Sequence, residues 1–156
     1  KLFEKYVEGW LRQNLVSSVK LTVQASRHSL CVHEQKPIFR LEPDLMVQQF
    51  DQSWVLDTKW KRLYAADREN KYGLSQSDFY QLFAYGHKYL EGKGEMVLIY
   101  PRWAAFQAAL PVFDFGAGLT LRVLPFDLER EYLVDAELTG LPLTSSVIAP
   151  DLKARA

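Results

Sequence analysis

Apolar positions along this chain follow two different periods. In KLFEKYVEGWLRQNL the residues Leu2, Phe3, Tyr6, Val7, Trp10 and Leu11 fall on one helical stripe flanked by Glu4 and Glu8, so the chain opens with an amphipathic helix. From Val19 to Leu63 the period drops to two through VKLTVQ, SLCVHE, PIFRL, DLMVQ and SWVLDTKW, which predicts a meander of antiparallel strands. DRENKYG (67–73) is polar and ends in glycine, the pattern of an exposed loop. A helix then resumes in LSQSDFYQLFAYGHKYLEGKG: Ser75 is its N-cap with Asp78 three residues on, Phe79, Leu82, Phe83, Tyr89 and Leu90 form its buried side, and Gly92 and Gly94 end it. EMVLIYP is a continuous apolar run after its glutamate, as in a central strand covered on both faces, and LTLRVLPF adds another strand before a tail from Leu141 rich in Pro, Ser and Thr. Helix, antiparallel strands, helix and further strands make an α/β or α+β sandwich, a mixed sheet flanked by helices.

Within this frame two runs read as adjacent half-buried strands that carry charges where apolar residues are expected: RLEPDLMV (40–47) and SWVLDTKWK (53–61). A tight turn at Phe50 and Asp51 sets Leu45 opposite Leu56 and Val47 opposite Trp54 on one face, and Asp44 opposite Asp57 on the other. Alternation brings Glu42 and Lys59 to that same face. Facing carboxylates repel, and a hard divalent cation offsets the repulsion: Mg²⁺ takes one or two carboxylates and completes its shell with water and phosphate oxygens. The peptide carbonyl of Thr58 is a further candidate ligand. A lysine beside such an ion suits phosphodiester hydrolysis, donating to the phosphate or helping to position and deprotonate a water.

Composition narrows the setting. The chain has 156 residues, 48% of them hydrophobic and 24% charged, enough for one domain over 1–156 with a sizeable core. No apolar run approaches the roughly 20 residues of a membrane-spanning helix. A single cysteine, Cys31, excludes an internal disulfide and a cysteine-cluster metal site, fits a cytoplasmic setting, and is expected in the core. Net charge is zero, so a nucleic-acid surface must be local. The densest basic cluster is Lys59, Lys61, Arg62, Arg68 and Lys71, which by charge alone is a solvated face. His28, His33 and His87 lack metal-ligand spacing, and Trp54, Trp60 and Trp103 are expected to pack rather than stack on bases. The start at Lys1, without an initiator methionine and inside a helical pattern, leads to the expectation of a fragment or a processed piece of something longer.

Pro43-Asp44 with Asp57-Thr58-Lys59 resembles the PD-(D/E)xK nuclease motif, and Gln81 and Tyr85 in YQLFAY resemble the Q-x-x-x-Y element of several branches of that superfamily, RecB-like nucleases included. The ordered set LFEKYV, FRLEPDLMV, WVLDTKWKRL, SDFYQLFAYGHKYL and VLIYP resembles the nuclease domain of the McrC family of modified-cytosine-dependent restriction systems, over residues 1 to about 125. That resemblance implies a restriction-endonuclease-like core and an Mg²⁺-dependent DNA endonuclease, with Mn²⁺ able to substitute. It implies an AAA+ GTPase partner of the McrB type, engaged through an N-terminal region missing here. Asp44 and Asp57 become metal ligands, Lys59 the catalytic lysine, Glu4 an acid that completes the site or orients a water, and Gln81 and Tyr85 residues that contact substrate or support the site. A RecB-like repair nuclease and a non-cleaving nuclease-like DNA-binding or assembly domain stand as alternatives.

Overall fold

The computed structural model describes residues 2–148; Lys1 and residues 149–156, the end of the tail, lie outside it. In chain order the main elements are α1 (Leu2–Asn14), β1 (Lys20–Val23), β2 (His28–His33), β3 (Lys36–Leu41), β4 (Leu45–Gln49), β5 (Gln52–Thr58), α2 (Gln76–Tyr89), β6 (Gly94–Pro101), β7 (Phe113–Asp114), β8 (Leu119–Asp127), β9 (Tyr132–Leu133) and α3 (Ser145–Ile148). Seven strands form one mixed sheet in the order β1-β4-β5-β6-β8-β7, with β9 also paired to β8. The pairs β1/β4 and β4/β5 are antiparallel, whereas β5, β6 and β8 run parallel.

The hairpin β4–β5 has the register expected from its apolar alternation, with Leu45 opposite Leu56 and Val47 opposite Trp54, and Phe50 at φ 55 in its turn. Because side chains alternate, β5 sends Trp54 and Leu56 into one apolar layer and Val55 into the other. Phe3, Val7, Trp10 and Leu11 of α1 close the first layer, and Leu82, Tyr85 and Tyr89 of α2 close the second. The passage β5–α2–β6 is a crossover joining parallel strands, which is why β6 is buried on both faces. The predicted N-cap is present: Ser75 Oγ accepts from the Asp78 N–H at 3.3 Å. At the other end Gly92, at φ 82, donates its N–H to the Gly86 carbonyl at 3.0 Å. Gly86 itself meets the sheet so closely that a Cβ there would lie 2.8 Å from Leu119 Cδ2, and this contact sets how near α2 approaches.

Several expectations are corrected. The antiparallel block is no simple meander: β1 pairs with β4, while β2 and β3 form a separate two-stranded sheet with many exposed positions. Glu34 and Gln35, both at positive φ, form that hairpin's tight turn, so β2 is drawn to β3 and leaves the main sheet. RLEPDLMV is consequently not one strand. β3 ends at Leu41, β4 begins at Leu45, and Pro43, which has no N–H to give a ladder, lies in the break. Cys31 is exposed rather than core, because it rides on the projecting hairpin. Leu2 is 72% and Phe83 40% exposed, at the margins of stripes whose centres are buried. Tyr72, inside the predicted exposed loop, is buried and packs edge-on against Phe113 at 6.3 Å.

Candidate active site

The break between β3 and β4 places Asp44 just before the first paired residue of the hairpin, alongside Asp57 near the end of β5. The two aspartates bracket each other. The Asp44 N–H donates to Asp57 Oδ1 at 3.0 Å, and Thr58 donates both its N–H (2.8 Å) and its hydroxyl (2.7 Å) to Asp44 Oδ2. These bonds continue the hairpin through side chains where the ladder stops. Backbone donors fix both carboxylates, so neither needs a bound ion to be oriented.

Lys59, two residues beyond Asp57, sends Nζ to 3.1 Å from Asp57 Oδ2 and 3.7 Å from Asp78 Oδ1, and donates to Gln81 Oε1 at 3.0 Å. Its backbone is anchored as well, the N–H donating to the Ile99 carbonyl of β6 at 3.0 Å. The crossover therefore aims the ammonium, since β5 supplies the lysine and the first turns of α2 supply Asp78 and Gln81. Tyr85, one turn after Gln81, is 3% exposed and donates its hydroxyl to the Glu42 carbonyl at 3.3 Å, tying α2 to the β3–β4 break. Glu4 reaches the site from α1 on the opposite side of the sheet, its Oε2 accepting from Gln24 Nε2 at 3.0 Å. Glu4, Asp44, Asp57, Thr58, Lys59, Gln81 and Tyr85, with Phe3, Glu42 and Trp60, line a cleft of about 180 Å³.

Electrostatics follow from this crowding. Burial, and then the charge of Asp44, push the Asp57 carboxyl up to about 7, against the lowering effect of Lys59 and of the Asp44 N–H. Lys59 is also raised: burial works against its charge, and Asp57, Asp78 and Asp44 together outweigh burial. Glu4 is raised by burial and by the charge of Asp44. Tyr85 is raised by burial and the nearby acids.

The donor chemistry fits a hard divalent cation. Two carboxylates lie side by side, one buried with its charge opposed, and an ion between them would remove the conflict. No three His, Cys, Asp or Glu side chains among the described residues form a ready metal cage. Two carboxylates would leave the remaining positions of such an ion to water and other oxygen donors.

All seven residues singled out from sequence, Glu4, Asp44, Asp57, Thr58, Lys59, Gln81 and Tyr85, line this one cleft. Two further contributors were not assigned to it. Asp78, which the sequence marks as part of the helix cap, also turns its side chain toward Lys59; its place one turn before Gln81 is the signal for this. Gln24 stands at φ 55, and its N–H holds the Asp44 carbonyl at 2.9 Å while its side chain holds Glu4. Nothing in the local sequence pointed to Gln24. Glu42 lines the cleft, while the Arg40 guanidinium turns away and donates to the Ser26 carbonyl at 2.8 Å.

The fold and site together define a mixed-sheet α/β domain with a carboxylate pair and a lysine at the open end of its central hairpin. The chain belongs to the family described as McrBC 5-methylcytosine restriction system component, whose model matches residues 1–101 and so includes every cleft residue. Its fold is similar to a chain in the refined half-complex of the tetradecameric assembly of Thermococcus gammatolerans McrB AAA+ hexamers with bound McrC, with a TM-score of 0.61 at 17% identity. That match covers 83% of this chain and 28% of the other, so the present sequence corresponds to a minor part of its relative's length. No curated protein matches the sequence. No helix among the described residues is long and apolar enough to cross a membrane.

Proposed function

We propose that this domain is an Mg²⁺-dependent DNA endonuclease of the PD-(D/E)xK type, the cleaving part of a 5-methylcytosine restriction system. The observation that carries this reading is the meeting of Asp44, Asp57 and Lys59 in one cleft, with both carboxylates held by backbone donors and the ammonium held by residues of α2. Family membership supports the restriction system, and the McrB hexamers with bound McrC in the similar structure support an AAA+ partner of the McrB type.

Asp44 and Asp57, with the Thr58 carbonyl, would hold the ion. When bound it supplies charge neutralisation at the phosphate and acidifies a coordinated water. Lys59 then does what its partners prepare: its ammonium faces the cleft and donates to a phosphate oxygen as charge develops there. Asp78 and Gln81 restrict the directions it can take. Glu4, beside Asp44, is placed to accept a proton or orient a water. Tyr85 maintains the cleft wall through Glu42.

The test is cleavage of methylated duplex DNA by the complete protein assembled with its AAA+ partner. Asp57→Asn and Lys59→Met should each lower Mg²⁺-dependent cleavage by roughly 100-fold or more while assembly is preserved. Parent-rate cleavage by Asp57→Asn would overturn the assignment.

A further inference from the structure

Trp60 is the one large aromatic side chain of the cleft lining that is mostly open to solvent. Its exposure is 72%, whereas Phe3 and Tyr85 in the same lining are 5% and 3% exposed. One part of the indole rests on Phe3, with ring centroids 5.5 Å apart and planes tilted by 55°, and the rest is uncovered. Exposed rings occur elsewhere on this chain, Phe50 at 89% among them, but the Trp60 indole is the one that presents an open π face at the cleft.

The chain leaving the site continues in the same manner. Lys61 and Arg62 are exposed, the Arg62 guanidinium lies 4.5 Å over the Trp103 ring, and Tyr64, 46% exposed, meets Trp103 edge-on at 5.1 Å. Trp103 is fixed in turn by its indole N–H, which donates to the Leu63 carbonyl at 2.7 Å. Within residues 59–64 a chain of zero net charge thus gathers Lys59, Lys61 and Arg62 around two exposed aromatic rings. Basic groups that track phosphates, interleaved with rings that accept bases, are the chemistry of a groove for a nucleic-acid strand.

We propose that Trp60 stacks on a nucleobase flanking the phosphodiester held in the cleft, so that the substrate is a DNA strand locally unstacked at the cut, followed outward by Lys61 and Arg62 on its phosphates. This rests on the endonuclease reading and adds the mode of substrate engagement. Trp60 is a positioning residue: it grips the neighbour of the reacting group and touches none of the reacting atoms.

A substrate-protein double-mutant cycle tests it in the complete assembly. Dissociation constants are measured with Ca²⁺ in place of Mg²⁺, using DNA carrying a single abasic site scanned across the nucleotides flanking the cut. Trp60→Leu keeps an apolar cover over Phe3 and removes the π face, while Trp60→Phe keeps a π face. Trp60→Leu should weaken binding of intact DNA by roughly tenfold, within the range of one base-aromatic stack, and Trp60→Phe should restore most of the loss. One abasic position should weaken the parent by a similar factor and leave Trp60→Leu unaffected. Additive losses at every position, or equal binding by Trp60→Leu and parent, would refute stacking. Mg²⁺-dependent cleavage by the parent is scored separately, so loss of the endonuclease reading is distinguishable from loss of the Trp60 assignment.

Discussion

Asp57→Asn isolates the electrostatic conflict at the centre of the cleft. The substitution keeps size and shape, retains an oxygen to accept from the Asp44 N–H, and removes a charge that burial and Asp44 both oppose. The carboxyl is raised from its ordinary value near 3.8 to about 7 in the folded protein. A raised folded-state value means that the native state holds the proton more tightly than the unfolded chain. The resulting stability is fully present below the unfolded value and is lost as pH rises through about 7. At about 1.4 kcal/mol for each tenfold change in proton affinity, the rise from 3.8 to about 7 amounts to about 4 kcal/mol. Other acids titrate over the same range, so the informative quantity is the difference between parent and variant. Urea unfolding of the metal-free proteins, from about pH 4.5 to pH 8, should show the variant gaining on the parent by several kcal/mol as pH rises. Adding Mg²⁺ at the upper end should raise the parent's midpoint and leave that of Asp57→Asn unchanged, because an ion that binds only the folded carboxylate pair stabilises by mass action. Parallel pH profiles for the two proteins would show that the Asp57 charge is not opposed and that an ion between the two aspartates has no electrostatic conflict to relieve.

Two further substitutions probe the frame that holds the site. Gly86→Ala gains helix propensity of up to about 1 kcal/mol but drives a Cβ to 2.8 Å from Leu119 Cδ2, so the net effect should be a loss of about 1–3 kcal/mol in chemical denaturation. Because α2 carries Asp78, Gln81 and Tyr85, that variant should also lose cleavage activity; a stabilised, fully active Gly86→Ala would contradict the close approach. Tyr89 donates its hydroxyl to the Leu41 carbonyl at 2.6 Å and takes the His28 N–H at 3.3 Å, fastening the β2–β3 hairpin to α2. Tyr89→Phe should cost about 1–3 kcal/mol and speed amide exchange in β2 and β3 selectively, whereas unchanged exchange there would show that the hairpin is held by other contacts.

Local pattern determined a good deal here. Period-two alternation with a turn at Phe50 and Asp51 was sufficient for the register of β4 against β5, because a shift by one residue would have turned Leu45, Val47, Trp54 and Leu56 out of the core. That register alone set Asp44 beside Asp57. The cap at Ser75 and the glycine signal at Gly92 bounded α2 for equally local reasons, and the spacing of Gln81 and Tyr85 placed both on one helical face. Tertiary structure decided the rest. The pairing of β1 with β4 and the exclusion of β2 and β3 from the sheet depend on contacts between distant segments, and they left Cys31 exposed where alternation had suggested burial. The same long-range arrangement brought Glu4 from α1 into the cleft, set Gln24 from the end of β1 against Glu4, and turned Asp78 of α2 toward Lys59. A linear pattern reports the face on which a side chain lies. Which side chains meet across that face depends on how helices and strands far apart in sequence pack, and here that packing turned two charged strand ends into a cleft.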